Sequence, residues 1–405
     1  MTALANTNHF CHPGALAAGQ PIHLGLGHHY RLDRPMAQSS CGAVWHATWL
    51  ETSAPVVIKT LAGGAESAQQ RSAWRQALQR EGEQLRRLRH RHIIRLQHVG
   101  THAGKPLLVL EPMHESMAQH LARLKGAPAG AAGSASRLPP GLALRWAHQI
   151  AQGLRVLHRT GLRHLDLKPA NLLLTAPGPL GQRLKMADFG ACLAATTPTH
   201  HLLATPGWAA PEQLRPVGCD AQGQPLFQTD ARADFFALGQ LLFRWLTGQR
   251  THYGSSVWAA YRRGGAADVF AVMANGSLRG GLTAEDWQRL GAVLGGMPDP
   301  MPGHGETAAE ANAETNEEAD QATWIATGQP AGFQPAAATP TASPAAASEQ
   351  GHDAGHAATT ACRRLLGALC QPTPEARPGD AALVCDMLTD ALAEFSLVHT
   401  DKSQT

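Results

Sequence analysis

The 405-residue sequence predicts an α+β chain, β-rich with one helix up to residue 111 and mainly helical from Met113 onward. Three observations lead there. Alternating and β-branched runs concentrate between Tyr30 and Glu111, as in strands with one face buried. In the second part, Leu142, Trp146, Ile150 and Leu154 recur every four residues, a stripe that buries one helix face. The 43% hydrophobic content supports a sizeable core, and the length suits two lobes or two domains.

Taken in order, residues 1–20 read as a flexible tail. Val44–Trp49 alternates as a short strand, Thr52–Pro55 is a turn, and Val56-Val57-Ile58 is a strand core. Gln69–Arg89 holds helix formers with Leu78, Leu85 and Leu88 on one stripe. His98–His102 and Pro106–Leu110 flank Ala103-Gly104-Lys105, which reads as a hairpin turn. Lys125–Pro140, rich in Ala, Gly, Ser and Pro, reads as an elongated loop, and Gln182–Met186 as a short strand. Phe235–Leu246 is apolar nearly all round, so this helix belongs inside the second lobe. Cys362–Cys370 and Ala381–Phe395 are two further amphipathic helices.

Residues 297–359 break the pattern, with an acidic stretch from Glu306 to Asp320 followed by Ala, Thr, Pro and Ser. Such a segment cannot bury enough apolar surface to offset its ordering entropy, so it is expected to be disordered. Helices resume after it, which makes it an insertion within a domain. The expected organisation is one domain over 21–397, with lobes 21–111 and 114–397, and a tail at 398–405.

Composition excludes several classes. Lys and Arg number 34 against 31 Asp and Glu, which is not the footprint of a nucleic-acid-coating protein. The seven cysteines are scattered with no CxxC pair, which points to free thiols in a reducing compartment, the cytoplasm. No apolar run approaches the ~18–20 residues needed to span a bilayer, and residues 1–20 lack a signal-peptide pattern. The 22 histidines form short clusters such as His28-His29, without metal-site spacing. Alanine richness and the use of arginine over lysine suggest a GC-rich bacterial source.

Four segments carry chemistry. They are Val56-Val57-Ile58-Lys59, His164-Leu165-Asp166-Leu167-Lys168-Pro169-Ala170-Asn171, Ala187-Asp188-Phe189-Gly190, and Ala204-Thr205-Pro206-Gly207-Trp208-Ala209-Ala210-Pro211-Glu212. Phosphoryl transfer from ATP requires a cation on the phosphates, carboxylate and amide ligands for Mg²⁺, and a base at the acceptor hydroxyl. In this order the segments resemble the eukaryotic-like (Hanks-type) serine/threonine protein kinase family, over about residues 30–397 without the loops.

The resemblance implies a bilobal protein-kinase fold that uses ATP and Mg²⁺ to phosphorylate Ser or Thr on protein substrates. Lys59 would meet the α/β-phosphates and pair with Glu81, which stands ahead of Leu85 and His90-Arg91-His92-Ile93-Ile94 at the family's spacing. Glu83 is the fallback partner. Asp166 would accept the substrate hydroxyl proton and Lys168 would neutralise charge on the transferring group. Asn171 and Asp188 would ligate Mg²⁺, and Thr205 would hydrogen-bond toward Asp166 and Lys168. Glu212 would pair with Arg377, and Asp234 would brace the catalytic-loop backbone. At the adenine end, Glu111 and Met113 would offer backbone hydrogen bonds, Leu110 would guard the back pocket, and Val57 and Leu173 would sandwich the base.

Two departures are visible. The phosphate-covering loop reads Ala37-Gln38-Ser39-Ser40-Cys41-Gly42-Ala43-Val44. Only Gly42 and Val44 keep the family type, with Ala37 and Ser39 replacing glycines, so weaker ATP binding is expected. Leu165 replaces the arginine that usually meets a phosphate on the activation segment, and an apolar side chain cannot make that bond. Activity is therefore expected not to require phosphorylation of Thr196, Thr197 or Thr199 read out through this position. The alternatives are a pseudokinase scaffold that binds nucleotide weakly and a small-molecule kinase. The Ala-Pro-Glu segment with Thr205 argues against the latter.

Overall fold

The computed structural model describes residues 16–25, 27–38, 42–61, 68–125, 137–179, 181–276, 278–294 and 352–400. Two compact units separate, Met1–His90 with Ile94–Pro112, and Arg91–Ile93 with Met113–Thr405. The first unit thus runs to Pro112 and the second resumes at Met113, with Arg91–Ile93 joining the second unit. There Ile93 bridges to Met186, and the Met186 N–H donates to the His92 carbonyl (3.0 Å).

The first unit is built on strands β1 (Pro21–His23), β2 (His29–Gln38), β3 (Gly42–Trp49), β4 (Ala54–Leu61), β5 (Leu96–His102) and β6 (Lys105–Leu110). They form one antiparallel sheet in the order β1-β2-β3-β4-β6-β5. β4 begins at Ala54, inside the expected turn. Its apolar β-branched run suits a strand with neighbours on both sides. The β5–β6 turn sets Ala103 (φ 48°) and Gly104 (φ 73°) in the left-handed region, the tight connection that matches strand twist. The expected 1–20 tail ends sooner in the structure. Gly19 N–H donates to the Leu32 carbonyl (2.7 Å), and Leu32 N–H donates to the Gln20 carbonyl (3.0 Å).

Strand alternation divides the sheet into two faces. Ala43, Trp45, Ala47, Val56, Ile58, Leu107 and Val109 share one buried cluster with Ile22, Tyr30 and Leu32. The opposite face carries Val44, Val57, Lys59, Leu108 and Leu110, aligned by the register pairs Val44↔Lys59, Lys59↔Leu108 and Val57↔Leu110. Helix α1 (Ala68–Arg87) covers that face. It approaches closely because Gly82 has no side chain, and a Cβ there would stand 2.8 Å from Leu108 Cδ2.

The second unit is mainly helical, with α2 (Met117–Lys125), α3 (Pro140–Arg159), α4 (Arg232–Thr247), α5 (His252–Ala274), α6 (Ala284–Leu294), α7 (His352–Leu369) and α8 (Ala381–Thr400). α3 packs on α4 and α8 through Trp146, Ile150, Leu154 and Leu157, all buried, while Leu142 at the end of the expected stripe is only half-buried. Every residue from Phe235 to Leu246 of α4 is buried, including Arg244. Small strands fill in the loops. β7 (Glu115–Ser116), β9 (Leu172–Leu174) and β10 (Leu184–Met186) form a three-stranded sheet, β8 (Leu162–Arg163) pairs with the distant β11 (Leu193–Ala194), and β12 (Gly218–Cys219) and β13 (Pro225–Leu226) form a hairpin. No helix among the described residues is long and apolar enough to cross a membrane.

Most of the expected insertion, 295–351, lies outside the described residues, as does most of the 125–140 loop. The insertion's expected end at Thr359 is corrected, because α7 already begins at His352. Ala354, Ala357, Ala358 and Ala361 near its start favour a helix. α8 likewise runs to Thr400, three residues into the expected C-terminal tail.

Candidate active site

In the first unit the chemistry rests on one ion pair. On α1, Leu78, Glu81 and Leu85 fall on one helical stripe that Leu88 continues just past the helix end, and all are buried, Glu81 being only 2% exposed. A carboxylate inside an apolar stripe needs a cation, and Lys59 Nζ donates to Glu81 Oε2 at 2.7 Å. Glu83, the fallback partner, is exposed on another side of the helix. The same register places Ala37 opposite Val44 where β2 and β3 converge, with Gly42 starting β3. Ala37, Gly42, Val44, Val57 and Lys59 therefore gather at one end of one sheet. Ser39 and Cys41 lie outside the described residues.

β6 ends at buried Leu110. Glu111 N–H donates to the Arg95 carbonyl (3.1 Å), while its carboxylate accepts from Arg95 N–H (2.8 Å). With its N–H engaged, the carbonyl is the backbone group of Glu111 suited to a base. Met113 opens the second unit, half-buried. Leu173 is also half-buried, between fully buried Leu172 and Leu174 on β9, so it faces away from their core.

The second unit holds a dense network around Asp166, which is 4% exposed. Thr205 Oγ1 donates to Asp166 Oδ1 (2.6 Å) and accepts from Lys168 Nζ (2.8 Å). Lys168 Nζ also reaches Asp166 Oδ2 (3.0 Å). Asn171 Nδ2 donates to the Asp166 carbonyl (2.9 Å) and to Oδ2 (3.1 Å), which leaves the amide oxygen to face elsewhere. Catalytic loop and activation segment thus share one hydroxyl, Thr205, which uses both its donor and its acceptor capacity.

Beneath this network lies Asp234, in the first turn of α4 and fully buried. It accepts from the N–H groups of His164 (2.9 Å) and Leu165 (2.8 Å), and from His158 Nε2 (2.8 Å). Burial pushes its carboxyl up, but the bonds and charges from His158 and His164 outweigh that and hold it below the ordinary value. The brace lets Leu165 keep a left-handed backbone (φ 65°), which a leucine rarely adopts. Asp188 is the other strained residue here (φ 59°, ψ 75°), half-buried ahead of Phe189, whose ring lies 5.0 Å from that of His164.

Glu212 and Arg377 form a two-pronged pair, Nη1 to Oε1 at 2.6 Å and Nη2 to Oε2 at 2.9 Å. The Leu165 side chain, only 3% exposed, packs into a cluster with Ala204, Ala209, Leu214 and Phe236. Three residues in this network escaped the sequence reading. They are His158 on Asp234, Gln213 on the Leu165 carbonyl (2.8 Å), and buried Arg163 beside the motif. For Arg163 a signal existed: an arginine directly before His164 in a motif that lacks its usual arginine.

Comparison with known proteins agrees with this geometry. The family model described as "Protein kinase domain" matches residues 30–388. CBL-interacting protein kinase 30 of Oryza sativa subsp. japonica is 31% identical over 238 residues, 58% of this chain and 44% of that protein. CBL-interacting serine/threonine-protein kinase 7 of Arabidopsis thaliana is 30% identical over 253 residues, 61% of this chain and 52% of that protein. The chain thus spans about half the length of these relatives. Both are plant proteins and lend no support to the bacterial source suggested by residue usage. With a matched span that reaches from β2 into α8, the chain, which carries the Lys59–Glu81 pair and the Asp166 network, belongs to the protein kinase domain family.

Proposed function

We propose that this chain is an ATP- and Mg²⁺-dependent protein serine/threonine kinase with Asp166 as its catalytic base. The network of Asp166, Lys168, Asn171 and Thr205 is the observation that carries the reading. It aims a buried carboxylate, a buried ammonium and a hydroxyl at one another without leaving any of the three unpaired. Asp166 would take the proton of the attacking Ser or Thr hydroxyl while Lys168 offsets charge on the transferring phosphoryl group. Lys59, oriented by Glu81, would hold the α/β-phosphates. The Asp188 carboxylate and the Asn171 amide oxygen make a hard oxygen donor set that fits Mg²⁺. Bound there, Mg²⁺ would neutralise phosphate charge as a Lewis acid. Leu110, Val57, Leu173, Glu111 and Met113 would receive the adenine, and the stretch from Ala37 to Val44 would cover the phosphates. Protein substrates follow from the peptide-docking type of activation segment, and a cytoplasmic location from the scattered, odd-numbered cysteines.

The deciding experiment incubates the purified chain with ATP and Mg²⁺ and follows phosphate transfer to itself and to a generic basic protein. Transfer by the wild type and its loss in Asp166→Asn is the expected result. A nucleotide-dependent rise in melting temperature without any transfer would instead identify a nucleotide-binding scaffold.

A further inference from the structure

Arg163 sits one residue before the catalytic-loop histidine and is 1% exposed. Its strand, β8, pairs with β11 at the start of the activation segment, in the register Leu193↔Arg163. The guanidinium reaches three backbone carbonyls. Nη2 donates to Ala194 (2.6 Å) and Thr197 (3.1 Å), and Nη1 donates to Thr229 and also meets Thr229 Oγ1 (3.3 Å). Thr229 in turn meets His200 Nε2 (2.9 Å), and His200 exchanges backbone hydrogen bonds with Phe227 (3.0 and 2.8 Å). One planar cation therefore ties Ala194 and Thr197 to Thr229 on the approach to α4, and Thr229 in turn meets His200.

The position where the family resemblance expects a phosphate-reading arginine is Leu165, sealed in an apolar cluster with Ala204, Leu214 and Phe236. A phosphate brought there would be buried without a partner, at large cost. The fork of Arg163 suits bidentate acceptors, and carbonyls of the segment itself already occupy it.

We propose that Arg163 is a phosphate-independent latch, a positioning residue that holds the activation segment, and with it Thr205, ready for transfer through the carbonyls of Ala194, Thr197 and Thr229. The proposal rests on the kinase reading above and adds how that site is controlled. Segment phosphorylation is then dispensable, and Arg163 is not.

The test uses the full chain with Arg163→Met, Arg163→Lys and a Thr196→Ala/Thr197→Ala/Thr199→Ala variant. Arg163→Met is expected to lower kcat/KM for a peptide substrate by roughly 10- to 100-fold, the scale of losing hydrogen bonds to a charged group. The loss should fall on the peptide KM, with the MgATP Kd unchanged, and hydrogen exchange should speed up in residues 193–200 but not in α3 or α4. Arg163→Lys should lose less. Should Arg163→Met not fold, Arg163→Lys carries the comparison, since it keeps the charge without the planar fork. The triple-alanine variant should match wild-type activity. Wild-type activity and exchange in the Arg163 variants, or an inactive triple-alanine variant, overturns the latch. Exchange is also measured with and without Arg163→Met in the Asp166→Asn chain, which asks nothing of catalysis. If the wild type transfers no phosphate, the kinase reading fails while the exchange result still decides the latch.

Discussion

The two units hold their chemical groups in very different ways. In the first, the Lys59–Glu81 pair joins a strand to a helix, with the lysine side chain 25% exposed. In the second, Asp166, Lys168, Asn171, Thr205 and Asp234 are all at most 5% exposed and joined by hydrogen bonds between the catalytic loop, the activation segment and α4. The first unit orients one partly exposed cation, with Glu81 as a partner at 2.7 Å. The second must fix a base, a cation and two strained backbone positions together, and a low-dielectric network does so without reorganising at the moment of reaction.

The largest expected effect lies at the centre of the network. Asp166→Asn should cut phosphate transfer by roughly 10²- to 10⁴-fold, the contribution of a general base, with little change in nucleotide affinity by thermal shift. A residual rate close to wild type would place the base elsewhere.

Asp234→Ala should destabilise the chain by about 3–5 kcal/mol in urea unfolding, because a buried charge is removed from partners left unpaired. It also carries a pH signature. The folded carboxyl lies below its ordinary value of 3.8, so its stabilisation is complete above that pH and is lost as the pH falls toward the folded value. The variant should therefore show a shallower acid transition than the wild type.

Glu81→Gln sharpens the contrast. It keeps the shape and removes one charge, so it should cost about 1.5–3 kcal/mol, the range for hydrogen bonds to charged groups. Transfer should slow as Lys59 loses its orientation. A cost equal to that of Asp234→Ala would erase the distinction between a lightly and a densely held half.

The smallest effect concerns His200. Burial lowers its pKa below 6.5, and the nearby Arg163 acts in the same direction. A donating Nδ1 on the His201 carbonyl (2.7 Å) and an accepting Nε2 on Thr229 suit the neutral ring. The stability it contributes is present above pH 6.5 and is lost as the pH falls through the lower folded value. Protection factors at residues 193–205, which correct for the slower intrinsic exchange in acid, should fall modestly between pH 7 and pH 5, and His200→Gln should flatten that response.

Much of this was legible in the chain. Short motifs resemble those of a known family, so Lys59, Asp166, Asn171, Asp188 and Thr205 could be named from that resemblance. Alternation assigned most of β3 to a strand, and the Pro106–Leu110 run most of β6. Boundaries were harder. The start of β4 inside a turn-like stretch and of α7 inside a low-complexity segment depend on neighbours that local pattern does not reveal. The choice of Glu81 over Glu83 needed helix phase, which the Leu78–Leu85–Leu88 stripe supplies once α1 is known to lie on the sheet.

By itself, then, the sequence supplied the candidate chemical groups, because residue identity and order carry the motifs of the family. It also determined the α+β class, because apolar periodicity does. Only the tertiary structure decided what restrains those groups. The three carbonyls on Arg163, the N–H groups and His158 on Asp234, and the apolar seat of Leu165 join residues some 30 to 75 positions apart. Such contacts form wherever folding leaves a buried polar group in need of a partner, and no local pattern records which partner that will be.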